Sequence, residues 1–242
     1  MKKIVLLFDV HLTAGKPHSS YRLAKKFIKD FRPDETILGG DFMDCEALSH
    51  WTKNKRKKME GKRWNAELKV AAKELEFLQL HSRKVTYMYG NHEDWVYQYV
   101  DENPEVEGLI EIENRLDLDV KGIEYYQYNE LLKRGNLYVT HGMYTPKYHA
   151  NKHLTALGCN VVYGHTHRPQ MDMMNMKMVE PHKAWCMGCL CGHEPEYMHG
   201  KPANWMNGFG VVYLNEISGL FNLYMIDIID NQFMFEGRTY KI

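Results

Sequence analysis

The stretch VVYGHTHRP, from Val161 to Pro169, contains the pattern on which the prediction of the fold rests. A run of three apolar residues ends at a glycine and is followed by two histidines separated by one residue. A short apolar run bounded by a glycine predicts a buried strand. Metal ligands need fixed geometry, which a rigid strand end provides, so His165 and His167 are candidate metal ligands.

Four other predicted strands end in polar residues of the same kind. In open α/β sheets, ligands bind in the crevice beyond the carboxyl ends of the strands, so all five sets are expected to converge on one spot. The other four strands and the residues that follow them are Lys3 to Phe8 with Asp9 and His11, Glu35 to Leu38 with Asp41 and Asp44, Val85 to Tyr89 with Asn91, His92, Glu93 and Asp94, and Leu137 to Thr140 with His141.

The composition limits the classes of protein that fit. A chain of 242 residues suits one α/β domain, spanning 1–242, better than two small domains. The net charge is zero, so no overall field identifies a partner, and the five cysteines, an odd number, argue for a reducing compartment. The first apolar run ends at Asp9 without a small-residue cleavage site, and no apolar stretch is long enough to span a bilayer. A cytoplasmic protein without a membrane partner is therefore expected.

Helical patterns alternate with the predicted strands. Ser20 to Phe31 places its apolar residues on one face behind a serine cap, and the patterns of Trp64 to Ser82 and of Lys147 to Leu157 also predict helices. After Pro181, short β-rich segments predict a mostly antiparallel sheet. The region 94–136 mixes helix and strand signals, and we expect it to shape the choice of substrate.

The residue types at the strand ends predict a particular metal chemistry. Carboxylates, imidazoles and an amide oxygen suit Mn²⁺, Fe or Zn²⁺ better than a soft metal, and residues two apart on an extended chain face the same way. Two ions that share a carboxylate clamp the attacking and leaving oxygens in phosphoryl transfer, which predicts hydrolysis of a phosphate ester. The seven candidate ligands are Asp9, His11, Asp41, Asn91, His141, His165 and His167.

The segments DVH, GGDFMD, GNHE, THG and GHTH occur in this order, and the set resembles that of the calcineurin-like metallophosphoesterases over roughly Met1 to Gln170. The resemblance implies a four-layer α-β-β-α sandwich in which two mixed β-sheets are flanked by helices. It also implies that Asp41 bridges two ions, of which Mn²⁺ is favoured and Fe, Zn²⁺, Ni²⁺ and Mg²⁺ are alternatives. The first ion would be held by Asp9, His11 and His167, and the second by Asn91, His141 and His165.

Other residues receive roles from the same resemblance. His92 would lie beside the scissile phosphate, where it protonates the leaving oxygen or stabilises the developing charge, and a metal-activated hydroxide would be the nucleophile. Glu93 or Asp94 would orient the ring of His92, and Asp44 would support the metal ligands. Each of these three acidic residues has an equally good reading as a turn former or helix cap. Arg168 is either a phosphate contact or a surface arginine.

The segment Thr52 to Trp64 carries seven Lys or Arg residues and one glutamate. This local excess of positive charge predicts attraction to a polyanion such as nucleic acid, with Trp51 and Trp64 as stacking surfaces. A solvated basic loop is the alternative. The candidate contacts are Lys55, Arg56, Lys57, Lys58, Lys62 and Arg63.

A second metal-like pattern lies nearer the C-terminus, where the spacing C-x-x-C-x-C-x-H is compatible with a structural zinc. The same residues also read as a buried strand in which cysteine acts as a small hydrophobic residue. The residues concerned are Cys186, Cys189, Cys191, His193 and His199.

Three functions remain open at this point. The first is a di-metal phosphodiesterase or nuclease that acts on DNA or RNA. The second is a phosphatase for a phosphoprotein, a nucleotide or a dinucleoside polyphosphate. The third, a non-catalytic binding scaffold, is disfavoured because no ligand position is missing. The C-terminal segments resemble those of phage and bacterial phosphoesterase-like proteins, and the sequence leaves the oligomeric state open.

Overall fold

The computed structural model describes residues 1–55, 57–176, 179–193 and 204–242. Its strands are β1 Lys2–Leu7, β2 Glu35–Gly39, β3 Lys84–Met88, β4 Glu124–Tyr126, β5 Leu132–Arg134, β6 Leu137–Val139, β7 Val161–Tyr163, β8 Gln170–Met176, β9 Val179–Cys186, β10 Asn207–Leu214, β11 Phe221–Ile228, β12 Gln232–Phe235 and β13 Arg238–Lys241. Its α-helices are α1 Ser19–Phe31, α2 Trp64–His81, α3 Asn91–Glu102, α4 Ile112–Arg115 and α5 His149–Leu157. Short 3₁₀ helices span Glu46–Leu48, His50–Thr52 and Pro104–Val106.

The strands form two mixed sheets and a hairpin. The first sheet has the order β11-β10-β1-β2-β3-β4, in which β1 to β4 run parallel to one another and β10 is antiparallel to both of its neighbours, β1 and β11. The second has the order β5-β6-β7-β9-β8, with β6, β7 and β9 parallel. Strand β9, which contains Pro181, pairs antiparallel with β8 and parallel with β7. The prediction of mostly antiparallel pairing in this part of the chain is therefore confirmed, with the pairing of β7 and β9 as the exception.

The hydrophobic residues of β1 alternate between the two faces of the first sheet. Ile4 and Leu6 point into a core between the sheets, where they join Val162 of β7, because successive side chains of a strand face opposite ways. Val5 and Leu7 point to the other face, which helices α1 and α2 cover. Helix α5 covers the outer face of the second sheet. The layers are therefore α-β-β-α, as the sequence predicted.

A buried ion-pair network links the two sheets at the end opposite the predicted site. The Glu35 carboxylate of β2 is fully buried. Its Oε1 lies 2.7 Å from Nη2 of Arg134, on β5, and its Oε2 lies 2.8 Å from Nζ of Lys2. The hydroxyl of Thr86 donates to this carboxylate as well, at 2.7 Å. Burial acts to raise the pKa of Glu35, but the hydrogen bonds from Arg134 and Lys2 lower it to about 2. The carboxylate is therefore ionised at neutral pH.

No helix among the described residues has the length and apolar character that crossing a membrane requires.

The depressed pKa of Glu35 predicts a pH-dependent contribution to stability. Because the folded-state pKa lies below the value of about 4.3 expected in the unfolded chain, the contribution is complete above that value and disappears as the pH falls toward 2. We expect Glu35→Gln to lower the free energy of unfolding by roughly 3 kcal/mol at pH 7. Urea unfolding of both proteins at pH 7, 5 and 3 measures the difference, which should shrink at the lowest pH.

The matched control is Glu216→Gln, because Glu216 lies 3.8 Å from the same lysine but is exposed. We expect this variant to change stability by less than about 0.5 kcal/mol. A difference between the wild type and Glu35→Gln that stays constant from pH 7 to pH 3 would contradict the ionisation assigned to Glu35.

Candidate metal centre

The predicted ligands lie in loops at one shared edge of the two sheets. The first sheet contributes the loops after β1, β2 and β3, and the second contributes the loops after β6 and β7. Five of the seven have left-handed backbone conformations, namely Asp9 (φ 52°), His11 (φ 49°), Asp41 (φ 51°), His165 (φ 68°) and His167 (φ 58°). The expectation that paired ligands sit on extended chain is therefore wrong. The chain turns sharply as it leaves each strand, which costs roughly 1–2 kcal/mol per residue.

Two groups of ligand atoms converge in the centre. In the first, ligand atoms of Asp9, His11 and Asp41 lie within 4.8 Å of one another. Nε2 of His167 joins them, at 3.3 Å from Oδ1 of Asp9 and 3.3 Å from Nε2 of His11. The carboxylate of Asp41 also belongs to the second group.

That second group consists of Asp41, His141 and His165, again with ligand atoms within 4.8 Å of one another. Oδ2 of Asp41 lies 3.4 Å from Nε2 of His141, and Oδ1 of Asn91 lies 3.1 Å from the same nitrogen. Ligands that sit about 2.1 Å from one ion are separated by roughly 3–3.4 Å from each other. The donors therefore fit divalent cations, and all seven residues named from the sequence lie together.

The second ring nitrogens of three histidines are anchored outside the centre. Nδ1 of His141 lies 3.1 Å from the carbonyl oxygen of Gly39, and Nδ1 of His11 lies 3.3 Å from Oδ1 of Asp44. Nδ1 of His167 faces the Sγ of Cys191 at 3.8 Å. Such contacts fix the orientation of a ligand imidazole and leave Nε2 to bind a metal. Asp44 thus stands where the sequence expected it, against His11.

The charges in the centre are balanced by imidazoles. Burial acts to raise the pKa of Asp41, but the charges of His141 and His92 hold it well below its usual range. For His141, burial acts to lower the pKa and the Asp41 charge outweighs it, raising the pKa to about 9. Burial, together with the charge of His141, lowers the pKa of His165 to about 4, which keeps its ring neutral. A neutral imidazole beside a carboxylate is the form that binds a cation.

Glu93 has a different role from the one expected. Its fully buried carboxylate accepts hydrogen bonds from the backbone N–H groups of Asp41 at 2.9 Å, Met43 at 2.9 Å and Gly90 at 2.8 Å, and from the hydroxyl of Tyr87 at 2.8 Å. It therefore fixes the loop that carries Asp41. The expectation that Glu93 orients the His92 ring is wrong, because its oxygens are occupied by the backbone.

The ring of His92 is held by other groups. Its Nδ1 donates to the carbonyl oxygen of Asp44 at 2.7 Å, and its face packs on Trp95 with ring centroids 3.9 Å apart. Nε2 then points toward Asp41, 3.8 Å from Oδ2. Asp94 does not orient the ring either, since its carboxylate accepts from Nε2 of Gln98 at 2.6 Å on the helix surface. The contact of Trp95 could have been anticipated, because residues three apart on a helix are neighbours.

The centre opens into a cavity of about 1250 Å³. Three tryptophans, Trp51, Trp95 and Trp205, and three lysines, Lys55, Lys58 and Lys62, are among its lining residues. Trp205 packs against His167 with ring centroids 4.2 Å apart. Arg168 is not among the described lining residues, and its Nη2 donates to the carbonyl oxygen of Thr145 at 3.1 Å. The reading of Arg168 as a phosphate contact therefore gains no support.

The basic segment borders the cavity, but part of its charge is neutralised. Lys58 and Lys62 both pair with Glu46, and Nη1 of Arg63 donates to the carbonyl oxygen of Lys62 at 2.8 Å. Lys55 and Lys57 are exposed. Arg56 lies outside the described residues.

The two tryptophans that flank this segment differ in exposure. Trp51 is 65% exposed at the rim of the cavity, where its ring is free to contact a ligand. Trp64 is partly buried against the core beneath the first sheet and is not among the residues that line the cavity, so the expectation that it offers a stacking surface gains no support.

The cysteines do not form the single cluster that their spacing allowed. Sγ of Cys186 donates to the carbonyl oxygen of Gly164 at 3.3 Å and lies 3.3 Å from Oγ1 of Thr166. Cys191 instead lies beside His167, and Sγ of Cys189 donates to the carbonyl oxygen of Met206 at 3.7 Å. His199 lies outside the described residues. A zinc site that includes Cys186 is therefore incompatible with the structure.

Close backbone packing around Asp41 predicts that Gly90 tolerates no side chain. A Cβ at Gly90 would stand 2.1 Å from Oδ1 of Asp41 and 2.5 Å from its backbone nitrogen. We expect saturation with Mn²⁺ at 100 times Kd to stabilise the wild type by about 2.7 kcal/mol, which raises Tm by roughly 5–10 °C. In Gly90→Ala the displaced carboxylate should abolish most of this gain, as differential scanning calorimetry with and without Mn²⁺ would show.

Gly15→Ala is the control, because a Cβ there meets only Oγ1 of Thr13, at 3.5 Å. This variant should keep the full gain in Tm. An undiminished response to Mn²⁺ in Gly90→Ala would rule out Asp41 as a ligand.

Comparisons with known proteins place the chain beside phage proteins. No family model matches it. It is 25% identical to the Gene 54 protein of Mycobacterium phage L5 in an alignment of 259 residues that covers 100% of this chain and 99% of that protein. It is 24% identical over 271 residues to the Gene 54 protein of Mycobacterium phage D29, with the same coverage. These matches agree with the expectation of phage or bacterial relatives.

Two solved structures are similar over most of their length. Vps29 of Chaetomium thermophilum has a TM-score of 0.49 and 11% identity, over 100% of this chain and 99% of that chain. TT1561 of Thermus thermophilus has a TM-score of 0.38 and 10% identity, over 92% of this chain and 98% of that chain. Likenesses at this level assign neither a family nor an activity, so the function has to be inferred from the site itself.

Proposed function

We propose that this protein is a phosphoester hydrolase that uses two divalent metal ions. The observation that carries the proposal is the position of Asp41, whose carboxylate belongs to both groups of converging ligand atoms. A carboxylate shared in this way is what a pair of ions requires. Carboxylate, imidazole and amide donors suit Mn²⁺, with Fe, Zn²⁺, Ni²⁺ and Mg²⁺ as alternatives.

The side chains of this chain divide the work of such a reaction. When bound, two divalent ions supply an activated water and stabilise the charge that develops on the phosphoryl oxygens. Asp9, His11 and His167 would hold the first ion, and Asn91, His141 and His165 the second. His92 directs Nε2 toward the centre because its Nδ1–H is fixed on the Asp44 carbonyl oxygen. From there the doubly protonated ring would donate its Nε2–H to the leaving oxygen of the substrate and become the neutral ring that keeps only its Nδ1–H.

The surroundings of the centre favour a nucleic-acid phosphodiester as the substrate. Exposed indoles stack on bases of any sequence, and lysines attract the phosphate backbone. Trp51 and Lys55 supply both features at the rim of the cavity. A volume of about 1250 Å³ exceeds the roughly 300–1000 Å³ of ordinary small-molecule sites, which favours a polymer over a small monoester. These features rank a nuclease or phosphodiesterase above a phosphatase.

The first test measures hydrolysis of bis(p-nitrophenyl) phosphate with Mn²⁺. We expect turnover by the wild type and no measurable turnover for Asp41→Asn. With a single-stranded DNA oligonucleotide, whose alkoxide leaving oxygen needs a proton, His92→Ala should lose at least about 100-fold in kcat with little change in KM, and the loss should be smaller with bis(p-nitrophenyl) phosphate, whose nitrophenolate leaves unprotonated. Asp101→Asn is the matched control for Asp41→Asn, because Asp101 is exposed on helix α3, and it should retain full activity. Inactivity of the wild type with Mn²⁺, Ni²⁺ and Fe²⁺ alike would refute hydrolysis and favour a binding scaffold.

The second test addresses the substrate. The triple variant Lys55→Ala, Lys57→Ala, Lys58→Ala should bind single-stranded DNA more weakly, and its slope of log K against log salt should be smaller by about 2, because up to three phosphate contacts at roughly 0.7 each are lost. Fluorescence anisotropy at 50 to 300 mM salt measures the slope.

A control triple variant removes Lys29, Lys69 and Lys73, which are exposed on helices α1 and α2 and do not line the cavity. Its salt slope should equal that of the wild type. Equal slopes for all three proteins would exclude the basic segment as a nucleic-acid contact, and the phosphatase would then become the preferred function.

A further inference from the structure

A row of five aromatic rings lines the cavity, with an indole at each end and three imidazoles between them. The ring centroid of Trp95 lies 3.9 Å from that of His92, and the His92 centroid lies 4.4 Å from that of His11. The centroids of His11 and His167 are 5.2 Å apart, and those of His167 and Trp205 are 4.2 Å apart. All five residues are among those that line the cavity. The two tryptophans therefore flank a continuous series of imidazoles that crosses the candidate metal centre.

The imidazoles in the middle of this row belong to the proposed site of hydrolysis. Nε2 of His11 and Nε2 of His167 lie 3.3 Å apart, and both residues are candidate ligands of the first ion. Nε2 of His92 lies 3.8 Å from Oδ2 of Asp41. A phosphate bound at the centre would therefore have one indole on its His92 side and the other on its His167 side.

Both indoles are held in place by the surrounding chain. Trp95 lies on helix α3, three residues after His92, and its side chain packs against the core. Trp205 is fixed through its neighbour, because the backbone N–H of Met206 donates to the carbonyl oxygen of His167 at 3.0 Å. Both tryptophans nevertheless remain partly exposed. A rigid indole that is partly exposed offers a large apolar face to a ligand at a low cost in conformational entropy.

One alternative gives the two tryptophans a structural role only, in which each holds the neighbouring imidazole in its orientation. This role accounts for the contacts with His92 and His167, but it does not require either indole to line the cavity. The two roles differ in how binding responds to the bases of a ligand. An indole that only orients an imidazole is indifferent to whether a bound strand carries bases.

We propose that Trp95 and Trp205 form two base-stacking subsites, one on each side of the scissile phosphate, and that the ligand is single-stranded nucleic acid with an unpaired base on either side of the bond. The inference rests on the proposed function for the position of the phosphate between the two bases. Stacking on an indole tolerates any sequence, because every base has a π-face.

The two subsites explain a preference for single strands over a duplex. In a duplex the faces of each base are covered by the neighbouring bases of the stack, and a base has to leave the helix before an indole can reach its face. Two bases on opposite sides of one phosphate would both have to leave. A single strand presents its bases to aromatic side chains without this cost.

The test compares two fluorescein-labelled strands of about 12 nucleotides, namely oligo(dT) and a strand in which every nucleoside is replaced by an abasic tetrahydrofuran unit. Both strands carry the same number of phosphates, so the ratio of their dissociation constants isolates the contribution of the bases. Fluorescence anisotropy measures both constants with the metal-free protein in EDTA, where no turnover is needed. We expect the abasic strand to bind the wild type at least about 25-fold more weakly.

Two pairs of variants assign this ratio to the indoles. Trp95→Leu and Trp205→Leu should each lower the ratio by at least about 5-fold, because each removes one stacking surface and leaves an apolar side chain. Trp95→Phe and Trp205→Phe keep a ring and should retain most of the ratio. The affinity of all four variants for the abasic strand should stay within about 2-fold of the wild type, which shows that each one folds. The affinity for a duplex of the same length should not respond to either Leu variant.

Trp64→Leu is the matched control, because Trp64 is also partly buried but is not among the described residues that line the cavity. It should leave the ratio unchanged. Equal affinities of the wild type for the two strands overturn the inference, as does a ratio that falls in only one Leu variant or in neither. A duplex that loses as much affinity as the single strand also overturns it. Inactivity toward bis(p-nitrophenyl) phosphate would refute the hydrolysis and leave a base-dependent affinity intact, so the two proposals fail separately.

Discussion

The whole site depends on how the carboxylate of Asp41 is held. Its Oδ1 accepts the backbone N–H of His92 at 2.9 Å, its own N–H donates to the buried carboxylate of Glu93 at 2.9 Å, and Gly90 leaves room for no other arrangement. Each contact comes from Gly90 or from the first turn of α3, directly after β3, whereas Asp41 follows β2, so two adjacent parallel strands fix one side chain. With Oδ1 occupied in this way, Oδ2 is the oxygen that faces His11, His92 and His141. The bridge between the two ligand groups therefore follows from the pairing of β2 with β3.

The candidate ligands with left-handed backbone conformations show what the fold contributes to such a centre. Five left-handed residues cost several kcal/mol together, and an isolated loop would relax out of these conformations. Here each of these residues lies two or four residues beyond the end of a buried strand. Backbone hydrogen bonds continue past the strand ends, such as those from His11 to Asp41 at 2.9 Å and from Leu190 to Asp9 at 2.9 Å. The stability of the sandwich therefore holds the candidate ligands in place.

The sequence predicted the parts of the site that depend on chain order and strand pattern. The seven candidate ligands were expected to lie together because parallel strands bring their carboxyl ends to one edge, and this rule needs only the strand positions. Contacts between distant segments were not predictable in this way. The three backbone hydrogen bonds to Glu93, the packing of Trp205 on His167 and the separation of Cys186 from Cys189 all depend on tertiary geometry. Cys186 ends β9, and the chain then leaves the sheet. Cysteines that are close together in sequence therefore do not point their side chains in the same direction.

The two sides of the cavity are built from different elements, and under the proposed function this would separate the chemistry from the choice of substrate. The ligand side stands on buried strands, whereas the lysine side consists of two short 3₁₀ helices and turns, with Glu46 holding Lys58 and Lys62. Ion pairs near the surface contribute roughly 0–1 kcal/mol and weaken with salt, so a polyanion could displace Glu46 at little cost. The phosphates of a nucleic acid would then take over lysines that are already gathered at the rim. Because Asp41 and Glu93 belong to the ligand side, such an exchange would leave the geometry of the ligand groups unchanged.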